Sequence, residues 1–150
     1  LIKSLILFLF CSLLSTSYAF ASLGDQADSI TQDKVMLVAK AKSSRNFSTY
    51  TVQTIQSGSS TINEYIASNG KIFAVTWRGL DPPDLSVLLG SYYASYQAAE
   101  KIKPNEKGQR QQKIEANTLV VQKFGHMRDL RGIAYDSSLI PPGVSSNEIQ

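Results

Sequence analysis

Lys71-Ile72-Phe73-Ala74-Val75-Thr76-Trp77-Arg78 is the stretch from which the fold is read. It is rich in β-branched and aromatic residues, which suit a pleated, packed surface, and it is the strongest strand in the chain. Asn69-Gly70 precedes it and marks a hairpin, because both residues tolerate positive φ. Asp81-Pro82-Pro83-Asp84 follows it and opens a helix. Asp81 is placed to cap free N–H groups, Pro82 suits the first turn and Asp84 complements the dipole. Leu85, Leu88, Leu89, Tyr92, Tyr96 and Ala99 then form one apolar stripe at steps of three and four. Gly90 interrupts it at a cost of about 1 kcal/mol against Ala, which points to close approach of a neighbour. Phe73, Val75 and Trp77 alternate onto one face and are expected to meet Leu85, Leu88 and Tyr92.

Two further strands precede this unit, at 50–56 and 61–67, joined by the turn Ser57-Gly58-Ser59-Ser60. Two registers are open for the hairpin at Asn69-Gly70. A two-residue turn pairs Ile66 with Phe73, Glu64 with Val75 and Ile62 with Trp77. A three-residue loop with a bulge at Gly70 pairs Tyr65 with Phe73 and Asn63 with Val75. The second is preferred, because it turns Glu64 away from apolar neighbours, where an unpartnered carboxylate is costly.

Towards the C-terminus, 118–124 and 130–135 read as strands around a turn or bulge at 125–129. Pro141-Pro142-Gly143 ends the second. Ser145-Ser146-Asn147-Glu148 is a capping box with Val144 and Ile149 as its hydrophobic staple, so a short helical turn docks there. Residues 101–115 are polar and carry Pro104 and Gly108; they read as a mobile surface loop. In the N-terminal part Ile30, Leu37, Val38 and Ala41 fall at helical spacing, and Ser43-Ser44-Arg45-Asn46 reads as a break. The expected fold class is therefore α+β: an antiparallel sheet of about five strands with one long helix packed on a face, in the order α-β-β-β-α-β-β.

The first 21 residues read as a signal peptide. Lys3 supplies a positive start, an apolar run follows, and Ala19-Phe20-Ala21 has the small-x-small pattern of a cleavage site. The run is too short to span a bilayer. Cleavage after Ala19 is the alternative. Residues 22–150 form a single exported domain in this reading, periplasmic or secreted, with no membrane span.

Composition narrows the chemistry. The chain of 150 residues is 43% apolar and 18% charged, an ordinary globular balance. Its formal charge of +3 loses one unit with Lys3, which leaves no nucleic-acid footprint. The single Cys, Cys11, lies in the leader, so the exported part has no disulfide and no thiolate nucleophile. No phosphate-binding glycine loop is present, and no cofactor is implied. One His without a mature Cys is a poor ligand set for zinc or copper, and no metal site is assigned.

The blocks Lys71-Ile72-Phe73-Ala74-Val75-Thr76-Trp77, Pro83-Asp84-Leu85 and Leu88-Leu89-Gly90-Ser91-Tyr92 resemble an exported bacterial family, domain of unknown function 2844. So do Gly125-His126-Met127-Arg128, Gly132-Ile133-Ala134-Tyr135 and Leu139-Ile140-Pro141-Pro142-Gly143-Val144. The similarity runs from Ser22-Leu23-Gly24 through nearly the whole exported part. It departs at Asp81-Pro82 and at Ile133, where a basic residue is expected. The resemblance implies an exported bacterial domain and no established activity.

Candidate functional residues are few. His126 is the only histidine and has a pKa suited to acid–base work, with Asp129 nearby, but no nucleophile is placed by spacing. No catalytic residue is assigned. Tyr92 and Tyr96 lie on the buried stripe with hydroxyls reaching the rim. Tyr93 lies off it and can join Trp77 in an aromatic patch. Arg128 and Arg131 flank a turn and can contact an anion. The candidate binding surface is thus Trp77, Tyr93, His126, Arg128 and Arg131, with Ile72, Ala74 and Thr76 on an uncovered sheet face. The expected function is a small non-catalytic binding or accessory domain of the cell envelope, taking an envelope protein or a glycan. A hydrolase with His126 as base, and a structural component of an envelope assembly joined at sheet edges, are the alternatives.

Overall fold

The computed structural model describes residues 22–26, 40–103 and 110–149. Seven strands form one antiparallel sheet: β1 (Lys40–Asn46), β2 (Tyr50–Ser57), β3 (Ser60–Ala67), β4 (Ile72–Gly79), β5 (Gln111–Ala116), β6 (Leu119–His126) and β7 (Asp129–Asp136). Their spatial order is β1-β2-β3-β4-β7-β6-β5. Strand β4 is central, and Ile72 through Trp77 are all buried, as its composition leads one to expect. One interrupted helix joins β4 to the far edge strand β5. It consists of α1 (Leu85–Leu89), a 3₁₀ turn (Gly90–Tyr92) and α2 (Tyr93–Ile102).

This corrects the expected five-stranded α+β sheet and its element order. The five expected strands are present, and two polar ones flank them. Strand β1 occupies the supposed break at Ser43-Ser44-Arg45-Asn46 and includes Ala41, which had been assigned to a helical stripe. The rest of that stripe, with Ile30, Leu37 and Val38, lies outside the described residues, as do the leader and Pro104 and Gly108. Strand β5 occupies the end of the supposed polar loop. The free edges of β2 and β6 offer backbone groups that need partners, and this recruits segments with little apolar content.

The helix begins later than expected. Its cap is Asp84, whose carboxylate accepts from the Ser86 N–H at 2.8 Å. Asp81 instead accepts from the Ser59 hydroxyl at 2.8 Å, and its carbonyl from the Ser60 hydroxyl at 2.5 Å, pinning the helix approach to the β2–β3 turn.

Both faces of the sheet carry a core. On the helix face Ile55, Ile62, Val75, Trp77, Val121 and Ala134 pack beneath Leu88, Leu89 and Tyr96. On the opposite face Val52, Tyr65, Phe73 and Ala74 are covered by Leu139, Ile140, Val144 and Ile149 of the C-terminal tail. The tail ends in the expected helical turn, a 3₁₀ turn at Ser146–Glu148 capped by Ser145.

Phe73 is on the wrong side for simple alternation, and the hairpin explains why. Next to the turn, Gly70 has φ +83 and Ile66 pairs with Ile72, the three-residue-loop register. One step on, Tyr65 pairs with Ala74 and Glu64 with Val75, the two-residue-turn register. Phe73 is the unmatched residue between them, a bulge that swings its ring away from the helix. The preferred register is thus corrected: it holds only at the turn, and Glu64 is buried at 2% exposure on the helix face. The same bulge puts Ile72 in the helix-side core. Ala74 and Thr76 do face the other way, yet both are buried.

Candidate ligand-binding face

The C-terminal tail covers only half of the sheet face opposite the helix. Beyond Ile149 the face over β4, β7, β6 and β5 is an open trough of about 1140 Å³. Alternation dictates its floor: residues two apart on these strands share the side that the helix does not cover. Asn63, Thr76, Gln122, Phe124, Arg131 and Tyr135 line it.

Two hydrogen-bonded groups give the floor its shape. Asn63 accepts from the Thr54 hydroxyl at 2.8 Å and donates to the Thr76 hydroxyl at 3.3 Å, a polar rung across β2, β3 and β4. Further along, Arg78 and Arg131 stand directly opposite each other on β4 and β7. Like charges in that position repel. Asp129 lies between them: it accepts from Arg78 Nε at 2.9 Å and from Arg131 Nε at 2.9 Å, and also pairs with Arg131 Nη2. These hydrogen bonds, Arg131 first, bring the Asp129 carboxyl down to about 2, so it stays ionised at any ordinary pH. Among the described residues Arg110 also lines the trough. Phe124 adds a ring that is 37% exposed.

The five residues expected to form one surface are divided by the sheet. Trp77 is 4% exposed in the helix-side core, directly opposite Gly132. Tyr93 is half-buried on the same side, stacked on Tyr96 with centroids 6.1 Å apart. Arg131 is on the open face. Arg128 is exposed at the tip of the β6–β7 turn with φ +66. His126 ends β6 opposite Asp129, and its side chain lies outside the described residues. Thr76 was expected on this uncovered face, but sequence reading missed Asn63 and Gln122 beside it. Their alternation within β3, β4 and β6 was visible, but which strands become neighbours was not.

The helix side carries its own polar contacts. Tyr92 donates to Asp136 at 2.5 Å; burial first, then this carboxylate, pushes the Tyr92 hydroxyl up to about 12. Tyr96 donates to Glu100 at 2.7 Å, and Lys123 donates to both, at 2.7 and 2.6 Å, clamping α2 to β6. Among the described residues no three acidic, His or Cys side chains converge as a metal cluster would.

The family model for proteins described as "Protein of unknown function (DUF2844)" matches residues 19–149. The chain belongs to that family. No curated protein and no solved structure matches it.

Proposed function

We propose that this member of the DUF2844 family is a small exported binding domain of the cell envelope. It acts through a surface rather than a reaction centre, and its uncovered half-sheet takes an acidic glycan. The observation that carries this reading is the pairing of Arg78 and Arg131 through Asp129 beside a lane of amides and hydroxyls. Guanidinium groups bind carboxylate or phosphate in a bidentate, directional way. Amides such as Asn63 and Gln122 exchange hydrogen bonds with vicinal sugar hydroxyls, and Phe124 offers an apolar face to a pyranose ring. The Arg78 and Arg131 guanidinium groups on this face favour a polymer bearing acid groups over a neutral one.

The sheet edges favour this reading over an assembly built by strand addition. Strand β1 contains Lys40, Lys42 and Arg45 with a register shift between Ala41 and Ser43, and β5 carries a Lys113–Glu115 ion pair at 2.6 Å. Charges and bulges on edge strands oppose pairing with another chain.

The test is calorimetric titration of the exported protein with uronic-acid oligosaccharides and with uncharged ones of equal length. Binding of the acidic set, weakened about tenfold or more by Arg131→Gln and by Phe124→Ala, is expected, since each lost contact of about 1.4 kcal/mol is a factor of ten. Equal binding by the variants, or no binding of either set, overturns the proposal.

A further inference from the structure

Residues 22–25 are threaded into the fold. Ser22 and Leu23 are 2% and 0% exposed. The Leu23 N–H donates to the Leu88 carbonyl at 3.1 Å, the Gly24 N–H to Ile72 at 2.8 Å, and the Ile72 N–H to the Asp25 carbonyl at 3.0 Å. The segment therefore bridges α1 and the start of β4. Gly90 makes room for it: a Cβ there would overlap the Ser22 side chain. This explains the glycine inside the helical stripe, with Ser22 as the close neighbour. Gly90 also has φ +47, which L side chains adopt at a cost.

The electrostatics of this niche are one-sided. The Ser22 hydroxyl donates to Asp25 Oδ2 at 2.6 Å, and the Ser22 backbone nitrogen lies 3.3 Å from the same oxygen. The Tyr92 ring packs against Gly24, 2.9 Å from where a Cβ would stand, and its hydroxyl reaches Asp136, which is 2% exposed. Two carboxylates thus flank Tyr92, and among the described residues neither is in an ion pair with Lys or Arg. Asp136 is buried and Asp25 half-buried, and a carboxylate partly withdrawn from water gains from a cation placed beside it. Independently, the small-x-small pattern Ala19-Phe20-Ala21 ends at the residue before Ser22.

We infer that removal of the leader places a cation beside Asp25: the new α-ammonium group of Ser22 is its structural partner. Hydrolysis breaks the Ala21 C–N bond; water supplies the oxygen of the new Ala21 carboxylate, and the Ser22 nitrogen becomes –NH₃⁺. Where the uncut chain presents one neutral amide donor to Asp25, the cut chain presents three donors and a full charge. Because Ser22 and Leu23 are buried, a peptidase that needs its substrate extended cuts before this segment docks. Docking of the mature end is then a late folding step made favourable by processing.

The groups facing Ser22 are Asp25 on its own segment, with Tyr92 and Asp136 beyond it. A free α-amino group titrates near about 7.7–8.0, and beside Asp25 its folded value lies higher. The stabilisation is therefore present at neutral pH and is lost as pH rises through the folded value of the amino group.

Two measurements on the protein exported with its own leader test this. Intact mass and N-terminal sequencing are expected to give Ser22 as the first residue; a start at Phe20 or elsewhere overturns the inference. The Ser22-start protein is then compared with the same protein acetylated on its α-amino group. The acetylated form is expected to melt about 3–5 °C lower at pH 7, with the gap closing at alkaline pH. It is also expected to close in Asp25→Asn. Equal melting at pH 7, or a gap that persists in Asp25→Asn, overturns it. The inference shares the export expectation of the proposed function but not its ligand: a protein that binds no glycan yet shows this gap retains it.

Discussion

Gly132 lies directly opposite Trp77 across β7 and β4, and the indole occupies the space that a Cβ at residue 132 would need. This glycine admits the single Trp of the chain to the helix-side core. Gly132→Ala is expected to destabilise the fold by about 1–3 kcal/mol, the usual cost of overpacking. Trp77 fluorescence during urea unfolding measures this, because Trp77 reports the same core. A midpoint unchanged from the parent protein would contradict the packing.

Asp129 bridges two guanidinium groups that would otherwise face each other. With its pKa at about 2, its contribution is present above the ordinary carboxylate value of about 3.9 and is lost as pH falls through about 2. A carboxylate titration followed by NMR is expected to place the Asp129 midpoint at about 2, well below the ordinary value. In Arg131→Gln its midpoint is expected to rise towards the ordinary value, since Arg131 is the larger cause. An Asp129 midpoint near 4 in the parent protein would contradict the bridge.

Asp136 is buried, yet its carboxyl is held below the usual range: burial raises it, and hydrogen bonds from Ser138 and Tyr92 outweigh that. Tyr92→Phe removes one of these donors. It is expected to cost about 1.5–3 kcal/mol at pH 7, as for a hydrogen bond to a charged group, and to raise the Asp136 midpoint. The stabilisation lost is that present above about pH 3.9, so parent and variant converge on acidification. Denaturant unfolding at pH 7 and at pH 3 checks both statements.

Ile114 anchors the edge strand β5, at 2% exposure, beneath α2. Ile114→Ala is expected to cost about 2–5 kcal/mol, the range for truncating a buried Ile. Amide exchange checks the strand directly: Ile114 and Ala116 are expected to be slow in the parent protein. Fast exchange throughout residues 111–116 would restore the reading of this segment as a loop.

The segment around Ile114 shows what could be read from residues and what could not. Gln112, Ile114 and Ala116 alternate, and Asn117, at φ +55, turns the chain into β6. That pattern was present in the sequence, but one Ile and one Ala among polar and charged neighbours do not outweigh a loop composition. Strand β1 had no such pattern at all. Ser43, Ser44, Arg45 and Asn46 are exposed, and the segment is a strand because β2 has an edge to satisfy.

What the residues determined alone is whatever rests on near neighbours. The five apolar strands, the Leu85–Tyr96 stripe, the turn glycine at 70 and the capped turn at Ser145 follow from periodicity and backbone preference, which act over a few residues. What only the tertiary structure decided is which surfaces meet. The bulge at Phe73 reverses one aromatic ring and buries Glu64. The tail leaves Arg131 beside Phe124 on the open face that Asn63 also lines. Trp77 and Arg131, expected together, are separated by the thickness of the sheet. Each of these outcomes balances a local preference against burial and backbone pairing by partners distant in sequence, and no window of neighbouring residues contains that balance.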